Sequence, residues 1–444
     1  MQQKKFYPLL FSLLIIANLA YITYFWLHTS GPALLAGGNA ALIALGRASG
    51  LYGAFLILLQ FLLIGRIKWL EVWIGLDKLS RLHHYNGLLA IIFIILHPLL
   101  LLVGYAAAHN YTFTRQLIDF VLHWGNVAQA IIGFLLLIGV VIISLHIVRQ
   151  KLPYENWYFT HLLTYAAVIL AFGHQLNVGT DLQYPPAAIY WWLLYVFVFG
   201  NFILFRFCQP LYQLWRRRFY VAAITRETAD AISIYIKGKN LTKFKIAAGQ
   251  FIIVRFLAKN FFWQAHPFSL SCAPNGEYLR LTIKQSGDFT RSLENLPVNT
   301  KALIDGPHGV FTARFARRKK FLFIAGGVGI TPVFSLIEDL ARQNITDIKL
   351  LYSNRSAQNI IFQKDLAELA QRYGIAVAHT ITGDQSWSGE RGKIDRAKLL
   401  RLVPDWLERE TYLCGPKGML RGLKQMLLAM GFPKRRLHYE EFSF

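Results

Sequence analysis

The chain changes character near Trp215. Before it, apolar residues come in six runs at 6–26, 41–64, 83–103, 127–147, 158–176 and 188–207. Each is about as long as the roughly 20 residues a membrane helix needs. After it, apolar and polar residues alternate in short segments at 219–225, 231–237, 250–255 and 278–284, with turn residues between them. That period of two predicts a small antiparallel β-barrel. Beyond Lys320 a buried-type strand at 321–325 leads through a glycine loop into a helix from Val333, the rhythm of an α/β domain. The expected fold is a membrane six-helix bundle, then a β-barrel, then an α/β nucleotide-binding domain, with boundaries at 1–215, 216–315 and 316–444.

The first run follows Lys4 and Lys5, as a signal peptide would. It is longer than an ordinary signal-peptide core and no clean small-residue cleavage site follows, so a retained helix is expected. Connections on one side of the six runs hold Lys4, Lys5, Arg66, Lys68, Lys78, Arg81, Arg149 and Lys151, with Arg216, Arg217 and Arg218 after the last. The other side holds only Arg115. Positive loops stay inside, so both termini are expected in the cytoplasm. A composition of 55% hydrophobic and 16% charged residues is unusual for a soluble protein. The net charge of +23 divides into +6 over residues 1–215 and +17 over the remainder. A basic surface under an anionic leaflet and a site for a polyphosphate cofactor account for the excess, and no nucleic-acid partner is expected. Cys208, Cys272 and Cys414 form no CxxC pair, so no disulfide framework, zinc site or iron–sulfur site is expected.

Histidine inside a membrane helix is costly and tends to mark function. His83 and His97 lie 14 residues apart in the third run, and His161 and His174 lie 13 apart in the fifth. At about 1.5 Å per residue each pair spans roughly 20 Å. His83 and His161 belong to the inner ends, His97 and His174 to the outer ends. Neutral imidazole is a good axial ligand for haem iron, so the four are candidate ligands of two stacked haems. Fourteen residues bring His97 within roughly 40° of His83, whereas thirteen leave His174 well off the face of His161. Local winding, tilt or side-chain swing has to make up the difference, and Gly173 permits a distortion just before His174. His84 rivals His83 but has the poorer phase to His97, so His83 is preferred. His109, His123 and His146 are read as interfacial. Arg47, in Gly46-Arg47-Ala48-Ser49-Gly50, is expensive at its depth unless paired. A haem propionate is one reading of it and snorkelling to the outer interface the other.

In the barrel region His266, Pro267, Phe268 and Ser269 are followed by Lys284, then Gly287, Phe289 and Thr290, then Gly306-Pro307-His308-Gly309. A hydroxyl at a strand end, a basic residue and a glycine turn are what a flavin with a pyrophosphate needs, so FAD is expected here. Gly326, Gly327, Gly329, Ile330, Thr331 and Pro332 open a helix, whose N–H groups and dipole suit a phosphate. The spacing is not a full GxGxxG, so taken alone it also fits a tight turn. Two further strands end in Asn354-Arg355-Ser356 and Cys414-Gly415-Pro416, and ligands sit at such strand ends. Arg355 has no acid beside it and suits a 2′-phosphate, which favours NADPH over NADH. Phe444 ends the chain, where an aromatic can cover a flavin ring and give way to nicotinamide, or simply pack at a sheet edge.

Together these residues resemble the NADPH oxidase and ferric reductase superfamily over nearly the whole chain. The resemblance rests on Leu76-Asp77 ahead of His83, the two histidine pairs, Gly46-Arg47-Ala48, His266-Pro267-Phe268-Ser269 and Gly287-Asp288-Phe289-Thr290. The glycine loop through Pro332, Cys414-Gly415-Pro416 and Phe444 complete it. It implies an inner haem b between His83 and His161 and an outer haem b between His97 and His174. It also implies FAD at the His-Pro-Phe-Ser segment and NAD(P)H at the two loops, with Arg47, Cys414 and Phe444 close to the chemistry. The last two domains look like a ferredoxin–NADP reductase. Animal-type oxidases often carry another histidine four residues after the outer ligand, where this chain has Leu101. No EF-hand pattern precedes the helices, so calcium control is not indicated. The chain looks like a compact prokaryotic member, a six-pass protein of a bacterial inner membrane.

Electrons are then expected to run from NADPH to FAD, inner haem, outer haem and a small-molecule acceptor outside. Nicotinamide gives two electrons and haem takes one, so the flavin stands between them. Oxygen, giving superoxide, is the leading acceptor, because a ferric chelate needs a basic docking surface and the outer connections hold only Arg115. Leu101 argues the other way. The rivals are a ferric-chelate reductase, a donor to a periplasmic protein, and an anchored flavin reductase whose histidines bind nothing. Apart from the lipid bilayer, no obligate partner is inferred.

Overall fold

The computed structural model describes residues 2–145, 148, 151–152 and 154–441. Phe444, His146 and Arg149 lie outside them. The chain forms two compact units, Met1–Phe207 and Cys208–Phe444.

In the first unit the main helices are α1 (Gln2–Thr29), α2 (Gly38–Ile64), α3 (Leu76–His109), α4 (Phe113–His123), α5 (Val127–Ser144), α6 (Tyr154–His161), α7 (Leu163–Asn177) and α8 (Pro185–Ile203). Six helices are long and apolar enough to cross a membrane, and they overlap all six predicted runs. The third starts seven residues earlier than its apolar run. Gly75, at φ +89°, lets the chain turn in, and Asp77 in the first turn favours a helix N-terminus. Amphipathic α4 exposes Phe113, Leu117, Ile118, Val121 and Leu122 while burying Gln116 and Phe120.

The α2–α3 contact is a ladder of missing side chains. A Cβ on Gly46, Gly50 or Gly53 would lie 2.8, 2.6 and 2.8 Å from Leu101, His97 and Ile94. One series rises as the other falls, as in antiparallel helices, and small residues let two membrane helices approach this closely.

The fifth span is broken where the sequence did not mark it. The interruption falls at Leu162, directly after His161, and not at Gly173. Leu162 N–H is shared between the Tyr158 and Phe159 carbonyls at 3.2 Å each. The Thr164 hydroxyl takes the His161 carbonyl at 2.8 Å, competing with the backbone ladder as threonine does. Gly173 instead packs close to Asn126.

In the second unit α9 (Gln209–Arg217) precedes two three-stranded antiparallel sheets. Their strands are β1 (Tyr220–Thr228), β2 (Ala231–Lys237), β3 (Phe251–Phe256), β4 (His266–Ser269), β5 (Leu279–Lys284) and β6 (Ala302–His308). The orders are β1-β2-β5 and β4-β3-β6, closed around one apolar core. A parallel six-stranded sheet follows, built of β7 (Phe321–Gly326), β8 (Ile348–Asn354), β9 (Ala376–Ile381), β10 (Glu390–Arg391), β11 (Glu410–Gly415) and β12 (Leu437–Glu441). Its order is β10-β9-β8-β7-β11-β12. β7 and β11 are buried along their whole length, as strands covered on both faces are. Helices α10 (Ile330–Arg342), α11 (Gln363–Tyr373) and α12 (Lys417–Ala429) pack on it.

α10 also seams the sheet lobe to the barrel. Ser335 donates to the Cys272 carbonyl at 2.7 Å and Glu338 accepts from Ala273 N at 2.6 Å. Arg280 of β5, 8% exposed, pairs with Asp365 at 2.9 Å and donates to the Ser271 carbonyl. Its guanidinium lies over Phe334 and Phe362 at 5.0 and 4.4 Å. Arg280→Ala would strand the Ser271 carbonyl and remove these contacts, an expected loss of about 2 kcal/mol. It would appear as a lower temperature of flavin release; an unchanged temperature would show the seam is held elsewhere.

Candidate functional site

In the helical unit the four predicted histidines meet in two pairs. The rings of His83 and His161 have centres 6.2 Å apart, as do those of His97 and His174. Two imidazoles bonded to one metal at about 2 Å each have centres about 6 Å apart. His84 points elsewhere, exposed and against Tyr85, so His83 is the member that meets His161. His97 and His83 are 14 residues apart on α3, about 21 Å along the axis.

Two of the rings are held by hydrogen bonds that choose the tautomer. His97 Nδ1 donates to the Gly46 carbonyl at 2.8 Å. His161 Nδ1 lies 3.2 Å from Ser144 Oγ, whose own proton goes to the Val140 carbonyl at 2.7 Å. The serine must therefore accept, and both histidines keep Nε2 as a lone pair; such partners orient metal-bound histidines generally. His83 Nδ1 and His174 Nδ1 are buried without a partner. Among the described residues no cluster of three or more His, Cys, Asp or Glu gathers at either pair. Opposed pairs of neutral nitrogens with no acid fit a bis-imidazole haem and not a zinc or calcium site.

Arg47 has internal partners. It donates to the Tyr105 hydroxyl at 2.9 Å and to Ser30 Oγ at 3.4 Å. Ser30 donates to the buried Asp181 at 2.6 Å, and Thr29 donates to the same oxygen. The charge is thus answered within the protein through Ser30, an arrangement neither reading of its sequence position foresaw. Asp181, Ser144 and Arg206 were not singled out from the sequence. Arg206 alone carried a local signal, as a lone cation inside the sixth apolar run.

In the barrel His266 stacks on Phe289 with centres 4.0 Å apart, and Phe268 lies 6.4 Å from the same imidazole. Pro267 and Ser269 complete β4, with Ser269 buried. Thr290 Oγ1 accepts from Ser286 N and Gly287 N at 3.0 and 2.9 Å, which closes the glycine turn. Lys284 is drawn to Asp230 at 3.0 Å.

The glycine loop and the Cys-Gly-Pro loop are adjacent at the carboxyl ends of β7 and β11. A Cβ on Gly329 would sit 2.4 Å from the Cys414 carbonyl, so glycine is needed for the loops to nest. Between them run Gly326, Gly327, Ile330, Thr331 and Pro332 on one side and Gly415 and Pro416 on the other. Tyr352 braces the first loop by donating to the Gly327 carbonyl at 3.1 Å. Strand order reverses around β7, the position where such sheets bind nucleotides. Arg355, just past β8, is exposed. Burial, helped by the neighbouring Glu440 carboxylate, holds the Cys414 thiol well above its ordinary range, so it is a neutral wall and not a thiolate.

Three family models match in succession. They are a ferric reductase like transmembrane component over residues 49–172, an FAD-binding domain over 214–312 and an oxidoreductase NAD-binding domain over 323–425. The chain is 33% identical over 186 residues to a glycine betaine monooxygenase reductase subunit of Chromohalobacter salexigens, covering 40% of this chain and 50% of that one. It is 29% identical over 246 residues to an NADPH oxidoreductase of Mycobacterium tuberculosis, covering 53% and 62%. The chain thus spans about half to three fifths of the length of these curated relatives. A solved FAD/NAD binding domain of nitric oxide dioxygenase from Vibrio cholerae aligns with 51% of this chain and 98% of its own, at 26% identity and a TM-score of 0.46.

A membrane-helix domain followed by an FAD barrel and a nucleotide lobe defines a membrane flavoprotein that takes electrons from NAD(P)H. That order of domains matches the architecture of the NADPH oxidase and ferric reductase superfamily. The three matched domains are of the kinds that serve NAD(P)H-dependent electron transfer through FAD, joined to a ferric-reductase-like membrane component.

The cysteines give a direct check on the nucleotide site. Cys208 is exposed while Cys272 and Cys414 are buried, and burial pushes the Cys272 thiol up to about 11. Iodoacetamide at pH 8 is expected to label one thiol of three in the native chain and all three after denaturation. Native labelling of Cys414, read by peptide mass, would show that the loop opens.

Proposed function

We propose that the chain carries electrons from cytosolic NADPH through FAD and two b-type haems to an acceptor on the outer face, with oxygen, giving superoxide, the leading one. The observation that carries this is the pair of opposed imidazole sets, each with centres 6.2 Å apart. When bound, the nicotinamide supplies an electron pair, the flavin divides it, and the haems pass single electrons on. The residues bind, orient and exclude water. His83 with His161 and His97 with His174 would hold the two haems, and the Gly46 carbonyl and Ser144 set two of their rings. His266, Phe268 and Phe289 form an aromatic wall for the flavin, and the nested loops receive the nicotinamide beside Cys414. Arg355, exposed just past β8, supports the 2′-phosphate of NADPH over NADH.

The orientation follows the positive charges, with both termini in the cytoplasm of a bacterial inner membrane. Oxygen is favoured because the outer connections are poor in cations, and their Arg115 lies over the Tyr111 ring at 3.9 Å. A ferric-chelate reductase is the second reading, supported by the family matched at residues 49–172. A periplasmic protein acceptor has less behind it, because the attached reductase half lets the chain supply its own electrons.

The acceptor is tested by NADPH-driven cytochrome c reduction by the purified full chain. Superoxide dismutase is expected to suppress it; reduction insensitive to dismutase, with turnover on ferric citrate, would select the second reading. His97→Leu is expected to remove one of two haems from the reduced-minus-oxidised spectrum and to stop external reduction at least a hundredfold, with NADPH still bleaching the flavin. Two haems retained in that variant would refute the ligand assignment.

A further inference from the structure

We propose that Arg206 grips a carboxylate of the haem held between His83 and His161, an inference that rests on the haem reading above. Arg206 stands in the π-helical turn Leu204–Cys208, just past α8. Such turns are rare, re-aim a side chain out of helical register, and recur at functional sites. Its Nη1 is buried without a hydrogen-bond partner. Leu204 and Phe207 beside it are exposed apolar side chains, the surroundings of a membrane-facing helix. A guanidinium there is expensive unless an anion meets it.

The neighbours locate that anion. Arg206 lies four residues beyond Phe202, about one helical turn. Tyr165 packs on Phe61 and Phe202 with centres 5.7 Å away in each case, and it follows His161 by four residues, one helical turn. On the other side of the pair, Gln60 Oε1 is also buried without a partner. The Gln60 amide lies against Gly87, one turn beyond His83. Arg206 thus lies four residues beyond Phe202, which packs on Tyr165 a turn from His161, and Gln60 lies against Gly87 a turn from His83. At the other pair the corresponding arginine, Arg47, is already answered by Tyr105, Ser30 and Asp181. A haem brings two carboxylates; a lipid phosphate offers the same charge from outside.

The test is an optical redox titration of the purified full-length wild type, Arg206→Gln and Arg206→Lys, with haem and FAD content measured on each sample. A lost positive charge disfavours the more negative, reduced haem. Arg206→Gln is therefore expected either to lower the midpoint of one of the two haem waves or to lose that haem at unchanged FAD content, while Arg206→Lys keeps both. Two waves unchanged in Arg206→Gln overturn the proposal. So does equal haem loss from both variants, which marks a purely structural role. Repeating the titration in nanodiscs of phosphatidylcholine and of phosphatidylglycerol separates the two sources of anion. A midpoint that follows lipid charge in the wild type but not in Arg206→Gln assigns the arginine to a lipid phosphate and overturns the haem assignment. A wild type without haem bands removes the haem reading itself, and this inference with it.

Discussion

A ring nitrogen buried in an apolar bundle needs a partner, and His97 finds one in the Gly46 carbonyl at 2.8 Å. The rest of the helical unit follows from making that possible. The backbone of α2 comes so near α3 because Gly46, Gly50 and Gly53 carry no side chains on the facing side. In lipid there is no water to satisfy a stray donor, so the contact fixes the imidazole's tautomer as well as its direction. His161 solves the same problem differently, with the Ser144 hydroxyl of α5 in place of a carbonyl. One ring of each pair is thereby held by a neighbouring helix.

The flavin and nucleotide lobes meet under a different constraint. Electron-pair transfer between two bound rings depends on a narrow range of distance and angle, so the lobes that bind them cannot drift. α10 supplies the rigidity. Its first turns close the nucleotide loop, its middle carries Ser335 and Glu338 across to the barrel, and its Phe334 lies under Arg280. The same helix that presents its N-terminus to the nucleotide therefore ties the flavin lobe in place.

Charge is distributed by partner more than by count. Lys284 leans to Asp230, Arg280 to Asp365, and Arg409 to Asp405 and Asp347. Arg409 holds the Asp405 carboxyl down to about 2. Arg47 is answered through Ser30 and Asp181. Against that background Arg355 and Arg206 stand apart, one exposed just past β8 and one half-buried with its Nη1 unpartnered. The sequence made Arg47 conspicuous because it sits in a glycine-rich stretch. The structure transfers that interest to Arg206, which in the sequence is one cation between two phenylalanines.

The six apolar runs, the alternating barrel strands and the glycine loop before α10 were all legible in the sequence. Each depends on the solvation or backbone freedom of residues close together in the chain, and periodicity reports that directly. The four histidines were legible too, because burying an imidazole in lipid is costly wherever it occurs. Their pairing and the preference for His83 over His84 were expected from helix phase and the resemblance, whereas the break at Leu162 in place of Gly173 and the serine behind His161 were not. Those depend on which atoms stand across from one another on helices distant in sequence, such as Gly46 and His97, 51 residues apart. Hydropathy therefore decided that helices, barrel and nucleotide lobe exist. Only packing decided which nitrogen, which carbonyl and which arginine face the site, because a hydrogen bond needs a partner at about 3 Å and linear spacing does not specify one.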